Sequence, residues 1–363
     1  MLNICIVAGA RPNFIKFAPI LRSVDKFAAA GDEVACRLVY TGPENDSEIE
    51  PSLFKDLQIK TPDVYLGVDC ESLNELTGKV MSAFEEYLKA NETDVVLVAD
   101  DLASTMAVAI VTKKMGKKLA HLVAGTRSFD MKMPKEINRL VIDGLSDYLF
   151  TAGTQSNNIV CREGAELCNV YMVGNILMDT LRFNLPKLTR PAIADRLNLE
   201  DKKYIVFTVN RKALLADESN LKDMAEAMIK AAGDTPIIAP LREPARKVLA
   251  KFEEMENFHI AEPLSYNEFG YLAAHAMGVV TDSGNVAEEA TFNGVPCATL
   301  NNYTEHVETI KQGSNVLVGE DAEQLRDAVE KMVQGKWKHS SLPDRWDGRT
   351  ADRIVRALIE NNN

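Results

Sequence analysis

The chain has 363 residues, 46% of them hydrophobic and 26% charged, with a formal net charge of −12 at pH 7. At about 150 residues per domain this length calls for two domains rather than one core, and the negative balance argues against nucleic acid or an anionic membrane surface as partner. Met1 leads straight into a strand-like run, and no stretch approaches the roughly 18 apolar residues of a membrane span. The expectation is therefore a soluble, cytoplasmic protein. Cys5, Cys36, Cys70, Cys161, Cys168 and Cys297 are scattered, with no CxxC pair and no zinc-type His spacing, which leaves them as small hydrophobes and predicts no metal site.

Short apolar runs alternate with helix-length amphipathic segments. The first series is Asn3–Ala8, Glu33–Tyr40, Val95–Ala99, Leu119–Val123, Tyr148–Thr151 and Val170–Gly174. After a Pro-punctuated stretch around Pro186 and Pro191 it restarts as Tyr204–Thr208, Pro236–Pro240, His259–Ile260, Gly278–Thr281 and Pro296–Leu300. Runs of four to six apolar residues between helices read as buried parallel strands. The fold class predicted is α/β, two Rossmann-like doubly wound domains, with the crossing near residues 173–176. The first domain is residues 1–172, and the second is 173–348.

Two ligand loops stand out. Gly9-Ala10-Arg11-Pro12 follows the first strand, where a doubly wound sheet places its ligand, but the GxGxxG dinucleotide fingerprint is missing. Thr281-Asp282-Ser283-Gly284 follows another strand and opens a helix over Val286–Phe292, so Ser283 and Gly284 would aim backbone N–H groups at a diphosphate. Arg11 and Arg211 offer guanidinium forks for phosphate. Asp143 and Asp147 read as a hydrophilic helix face, and His121 and His275 as structural histidines.

Gly9-Ala10-Arg11-Pro12-Asn13-Phe14-Ile15-Lys16, the segment Thr281–Ala290 and Tyr303-Thr304-Glu305-His306 together resemble the non-hydrolysing UDP-N-acetylglucosamine 2-epimerase family, nearly end to end. The resemblance implies a glycosyltransferase-B-like architecture with the ligand in the interdomain cleft, and a C-terminal helix, about 349–363, packing back on the first domain. It implies a homodimer that takes UDP-GlcNAc or a related UDP-sugar, with no metal and no cofactor. The family's reaction eliminates UDP across C1–C2 of the sugar and returns it after proton exchange at C2, in surface-polysaccharide precursor metabolism. The UDP-sugar contacts implied are Arg11, Lys16, Arg139, Arg211, Ser283, Gly284, Glu289 and His306. Of the acid/base set, Asp101 and Glu136 are retained. Val123 stands where the family has Glu, Lys135 where it has a second Glu, and Asn210 where it has His, while Asp100 replaces a glycine. Valine exchanges no proton and an amide is no base near neutral pH. Three readings follow: an epimerase, a non-catalytic UDP-sugar-binding paralogue or regulatory subunit that pairs with an active homologue, and a glycosyltransferase of the same architecture.

Overall fold

The computed structural model describes residues 1–165 and 169–362, so Cys168 lies outside the described residues. It divides into two compact units, Met1–Phe183 with Asp344–Asn363, and Asn184–Pro343. Each is a parallel sheet flanked by helices.

The first unit contains β1 (Leu2–Ala8), β2 (Val34–Tyr40), β3 (Val64–Tyr65), β4 (Val95–Ala99), β5 (Lys118–Ala124), β6 (Tyr148–Thr151) and β7 (Asn169–Met172). Their spatial order is β3-β2-β1-β4-β5-β6-β7. The sequence of β4, Val-Val-Leu-Val-Ala, is buried at every position because helices cover both faces of the sheet. The second unit contains β8 (Ile205–Thr208), β9 (Ile237–Pro240), β10 (Phe258–Ala261), β11 (Gly278–Thr281), β12 (Cys297–Thr299) and β13 (Asn315–Leu317), in the order β10-β9-β8-β11-β12-β13. Both orders reverse once, between β1 and β4 and between β8 and β11. A doubly wound sheet opens its ligand crevice at the carboxyl ends of the two strands flanking that reversal.

The last helix, Thr350–Glu360, belongs to the first unit and packs on helix Arg11–Ala29. Its amino end is capped by Asp179, which accepts N–H bonds from Thr350 at 3.1 Å and Ala351 at 2.8 Å. Asp352 in its first turn takes Ser23 Oγ at 2.7 Å and Lys26 Nζ at 2.5 Å. Burial outweighs the capping amides and pushes the Asp179 carboxyl up to about 6.

Candidate functional site

In the first unit the loop after β1 begins at Gly9. A Cβ there would lie 2.2 Å from Ser104 Oγ, so only glycine lets helix Ala103–Lys114 start this close. Asn13, buried in the first turn of helix Arg11–Ala29, accepts the N–H of Gly9 at 2.9 Å and of Ala10 at 3.2 Å. Its amide nitrogen donates to Asp100 Oδ2 at 2.8 Å, and Lys16 Nζ donates to the other oxygen of the same carboxylate. Asp100 is the first residue after β4 and sits in the left-handed region with φ of +63°. Glycine adopts that conformation freely, and Asp tolerates it better than most residues. Burial alone would push the Asp100 carboxyl up, but the Lys16 ammonium and the His121 ring outweigh it and hold it below the usual range.

His121 on β5 is buried, with Nε2 3.0 Å from the Asp100 carbonyl and Nδ1 2.6 Å from Asp143 Oδ1. Asp143 also accepts Arg127 Nη2 at 2.7 Å and the Gly125 N–H at 3.1 Å, and Arg127 continues to Glu163 at 3.0 and 2.5 Å. Asp143 is thus no part of a hydrophilic helix face. It is buried because the His121 ring, the Arg127 guanidinium and an amide offset its desolvation, and they hold its carboxyl down against that burial. Asp147 follows helix Pro134–Leu145 and accepts Lys113 Nζ at 2.6 Å and the Leu119 N–H at 2.8 Å. Val123 forms the bulge where the register between β5 and β6 shifts, with φ of +69°. A β-branched residue is a clear outlier there.

Three of the residues singled out from the sequence meet at Arg139. Its Nε and Nη2 grip Asp101 Oδ2 at 2.8 and 2.6 Å, and its Nη1 donates to Glu136 Oε2 at 3.0 Å. Asn138 secures the Asp101 carbonyl at 2.8 Å. Glu136, 1% exposed, also accepts the Ser128 N–H at 2.9 Å, the Ser128 hydroxyl at 3.0 Å and the Phe129 N–H at 2.8 Å. Its burial favours the acid form, yet these donors outweigh it and hold the carboxyl low. Lys135, 60% exposed, faces the other oxygen of Asp101 at 3.6 Å.

The second unit repeats the plan. Asp282, first after β11, accepts the N–H groups of Asn210 at 2.7 Å and Arg211 at 2.6 Å from the loop after β8. Ser283 caps helix Gly284–Phe292 by accepting the Val286 N–H at 3.5 Å. The N–H groups of Gly284 and Asn285 open the first turn, where no intrahelical acceptor exists. A Cβ on Gly284 would come within 2.9 Å of the His306 ring, which is paired through Nδ1 to Glu288 at 2.9 Å. Glu289 is buried in the next turn. Arg211 donates to the Leu300 carbonyl at 2.9 Å and to Glu320.

Every basic residue that the sequence assigned to the ligand therefore has a carboxylate partner within the chain. The pairs are Arg11 with Glu50, Lys16 with Asp100, Arg139 with Asp101 and Glu136, Arg211 with Glu320, and His306 with Glu288. Glu50, Asp100, Glu320 and Glu288 escaped notice as partners because pairing across 18 (Glu288 to His306) to 109 residues leaves no local pattern. The signal that was present is positional, an Asp directly after the strand beyond the sheet reversal in both halves.

The sequence model of the UDP-N-acetylglucosamine 2-epimerase family matches residues 28–359. The chain belongs to this family. A UDP-N-acetylglucosamine 2-epimerase homolog of Methanococcus maripaludis is 37% identical over 91% of this chain and 92% of its own. A UDP-N-acetylglucosamine 2-epimerase of the same organism is 32% identical over 99% of each. The crystal structure of the Methanocaldococcus jannaschii UDP-GlcNAc 2-epimerase, in complex with UDP-GlcNAc and UDP, superimposes with a TM-score of 0.84 at 31% identity over 99% of this chain and 100% of that one. The fold is accordingly the two-domain, glycosyltransferase-B-like α/β architecture of these epimerases.

Proposed function

We propose that this chain binds a UDP-linked 2-acetamido sugar, UDP-N-acetylglucosamine or a close relative, and exchanges the C2 proton slowly or not at all. The observation that carries this reading is the contrast between the two kinds of group. The groups this reading assigns to the diphosphate are the Gly284 and Asn285 amides at a helix start and Arg211 on the neighbouring strand's loop. Arg211 and Glu320 are each 33% exposed, as is Arg11 at 27%, so their carboxylate partners are exchangeable for phosphate at little cost. Glu289 is assigned to the ribose hydroxyls, and Ser283 and His306 to the same nucleotide.

Proton transfer is poorly served. Glu136 and Oδ2 of Asp101 are committed to Arg139, which leaves Oδ1 of Asp101, facing Lys135, as the carboxylate oxygen best placed to act. Positions 123, 135 and 210 hold Val, Lys and Asn. Each missing acid/base group costs about 10²–10⁴ in rate, although linked groups do not add. The non-catalytic paralogue is the second reading, supported by the same three side chains, none of which is a carboxylate or an imidazole. A cytoplasmic homodimer is the assembly the family resemblance implies, with exposed Phe129, Met131, Ile137 and Leu140 as apolar surface.

The test is proton NMR of UDP-GlcNAc with the protein in deuterium oxide. Broadened ligand lines with a persistent C2 proton signal are expected. Rapid loss of that signal with UDP-ManNAc appearing would overturn the slow-chemistry assignment, and sharp, unshifted lines would overturn binding.

A further inference from the structure

The second unit holds a cavity of about 490 Å³ at the outer edge of its sheet, where β13 lies two strands beyond β11. Its lining comes from β13, from helix Ala322–Val333 and from the segment that follows this helix. The volume is within the range of about 300–1,000 Å³ usual for small-molecule sites. Val316, Val318, Ala328 and the Trp337 ring supply the apolar part of the lining. The indole is fixed in place, because its Nε1 donates to the Ser314 carbonyl at 2.7 Å.

Two ammonium groups stand at this cavity because of the way the helix ends. Gly335, with φ of +65°, donates its N–H to the Met332 carbonyl at 3.1 Å, and Lys336 donates its own to the Lys331 carbonyl at 2.8 Å. This double closure brings together a residue of the last turn and the one just past the glycine, a pair that is commonly apolar. Here both are lysine. On other helices a carboxylate four residues earlier takes up such a charge, as Glu75 does for Lys79 at 2.7 Å and Glu218 for Lys222 at 2.8 Å. Asp327 has the same spacing to Lys331 but turns to Arg326 at 2.9 Å. Among the described residues neither Lys331 nor Lys336 has a carboxylate partner, in a chain whose net charge is −12. The helix's carboxyl end favours each cation by only about 0.3–1 kcal/mol. A third lysine of the lining, Lys338, is committed to the Ile310 carbonyl.

We propose that this cavity binds a small aromatic carboxylate, its ring against Trp337 and its carboxylate shared by Lys331 and Lys336. Such a molecule meets both halves of the lining, an apolar wall with a fixed indole and two cations without an anion. The proposal stands apart from the UDP-sugar reading and does not rest on it.

Proton–nitrogen correlation NMR of the indole N–H groups tests it. The chain has two tryptophans, and Trp346→Phe assigns the Trp337 signal. Titration with 2-naphthoate should shift that signal saturably, with affinity about tenfold above that of uncharged 2-naphthylmethanol and of inorganic phosphate. The Lys331→Gln, Lys336→Gln double variant should keep the wild-type melting temperature and lose the preference for naphthoate over naphthylmethanol. Saturating UDP should leave the naphthoate affinity unchanged. A Trp337 signal unmoved by millimolar naphthoate, equal affinity for the charged and uncharged naphthalenes, or an unchanged preference in the double variant overturns the proposal. Phosphate binding as tightly as naphthoate overturns the aromatic assignment. Displacement of naphthoate by UDP overturns the separate site, because the probe then reports the nucleotide.

Discussion

Glu136 allows a sharp separation between anchoring and catalysis. One of its oxygens, Oε2, accepts three bonds, from the Ser128 N–H, the Ser128 hydroxyl and Arg139, while Oε1 accepts the Phe129 N–H at 2.8 Å. In Glu136→Gln the remaining carbonyl keeps the three-bond position, and the new NH₂ faces the Phe129 N–H, donor against donor. One charge-assisted bond is lost and a buried amide is left unpaired, a cost of about 1.5–3 kcal/mol. Glu136→Ala strips all four bonds, and about 3–5 kcal/mol is expected, because Arg139 loses part of its compensation in a buried setting. Phe129 adds to this: its φ of +60° is held only while the carboxylate gathers the two successive amides. Urea unfolding at pH 7, with unchanged slopes, measures both values. A Glu136→Gln variant within about 0.5 kcal/mol of wild type would refute the anchoring argument. The pH dependence has a definite sign. The folded carboxyl is held low, so its stabilising contribution is complete above about 4.5 and is lost as pH falls through the folded value. Glu136→Gln should not show that acid-side loss.

Asp282→Ala removes the acceptor shared by the Asn210 and Arg211 amides and should weaken UDP binding about tenfold, read by calorimetry with the melting temperature as control. Gly9→Ala should destabilise by about 1–3 kcal/mol, because the new methyl would lie 2.2 Å from Ser104 Oγ, and Ser104→Ala in the same chain should restore part of the loss in thermal melts. Asp179, with its carboxyl raised to about 6, works in the opposite direction from Glu136. It binds its proton more tightly in the folded state, so its contribution is full below about 3.8 and is lost as pH rises through about 6, by about 3 kcal/mol in all. Asp179→Asn should therefore lose less stability than wild type between pH 4 and 7, measured by chemical denaturation at each pH.

The long buried strands were legible because a run such as Val95–Ala99 has one physical explanation, burial on both faces. The edge strands β3 and β13, two and three residues long, have no room to show a pattern. Helix caps were legible for the same local reason: Ser283 sits at the start it signals. Asp143 was misread because helical spacing says which residues share a face, not what that face meets. Its burial depends on His121 and Arg127, which arrive from β5 and the loop beyond it. The Arg211–Glu320 pair lies across 109 residues and exists only through the fold.

Under the proposed function, what the chain has kept and lost follows one logic. The amides of Gly284 and Asn285, which the proposed function assigns to the diphosphate, are backbone groups set by a strand and a helix, so they survive changes of side chain. Proton-transfer groups are side chains and vanish with one substitution. Restoring them should then restore chemistry. Lys135→Glu would bring a second carboxyl toward Oδ1 of Asp101, where a cation now lies at 3.6 Å. Two carboxyls in that space share a proton, which raises the acidity threshold of one toward neutral pH and makes a general acid/base pair. Val123→Glu replaces a β-branched residue at φ +69° with an unbranched one, which relieves strain as it adds a carboxyl. With Asn210→His as well, C2 hydrogen–deuterium exchange should rise at least about 100-fold over wild type, and the single variants should show little of it, because the groups act as a unit. A triple variant that still binds UDP-GlcNAc and exchanges no faster than wild type would mean that the loss extends beyond these three side chains, to the placement of Asp101 itself by Arg139 and Asn138.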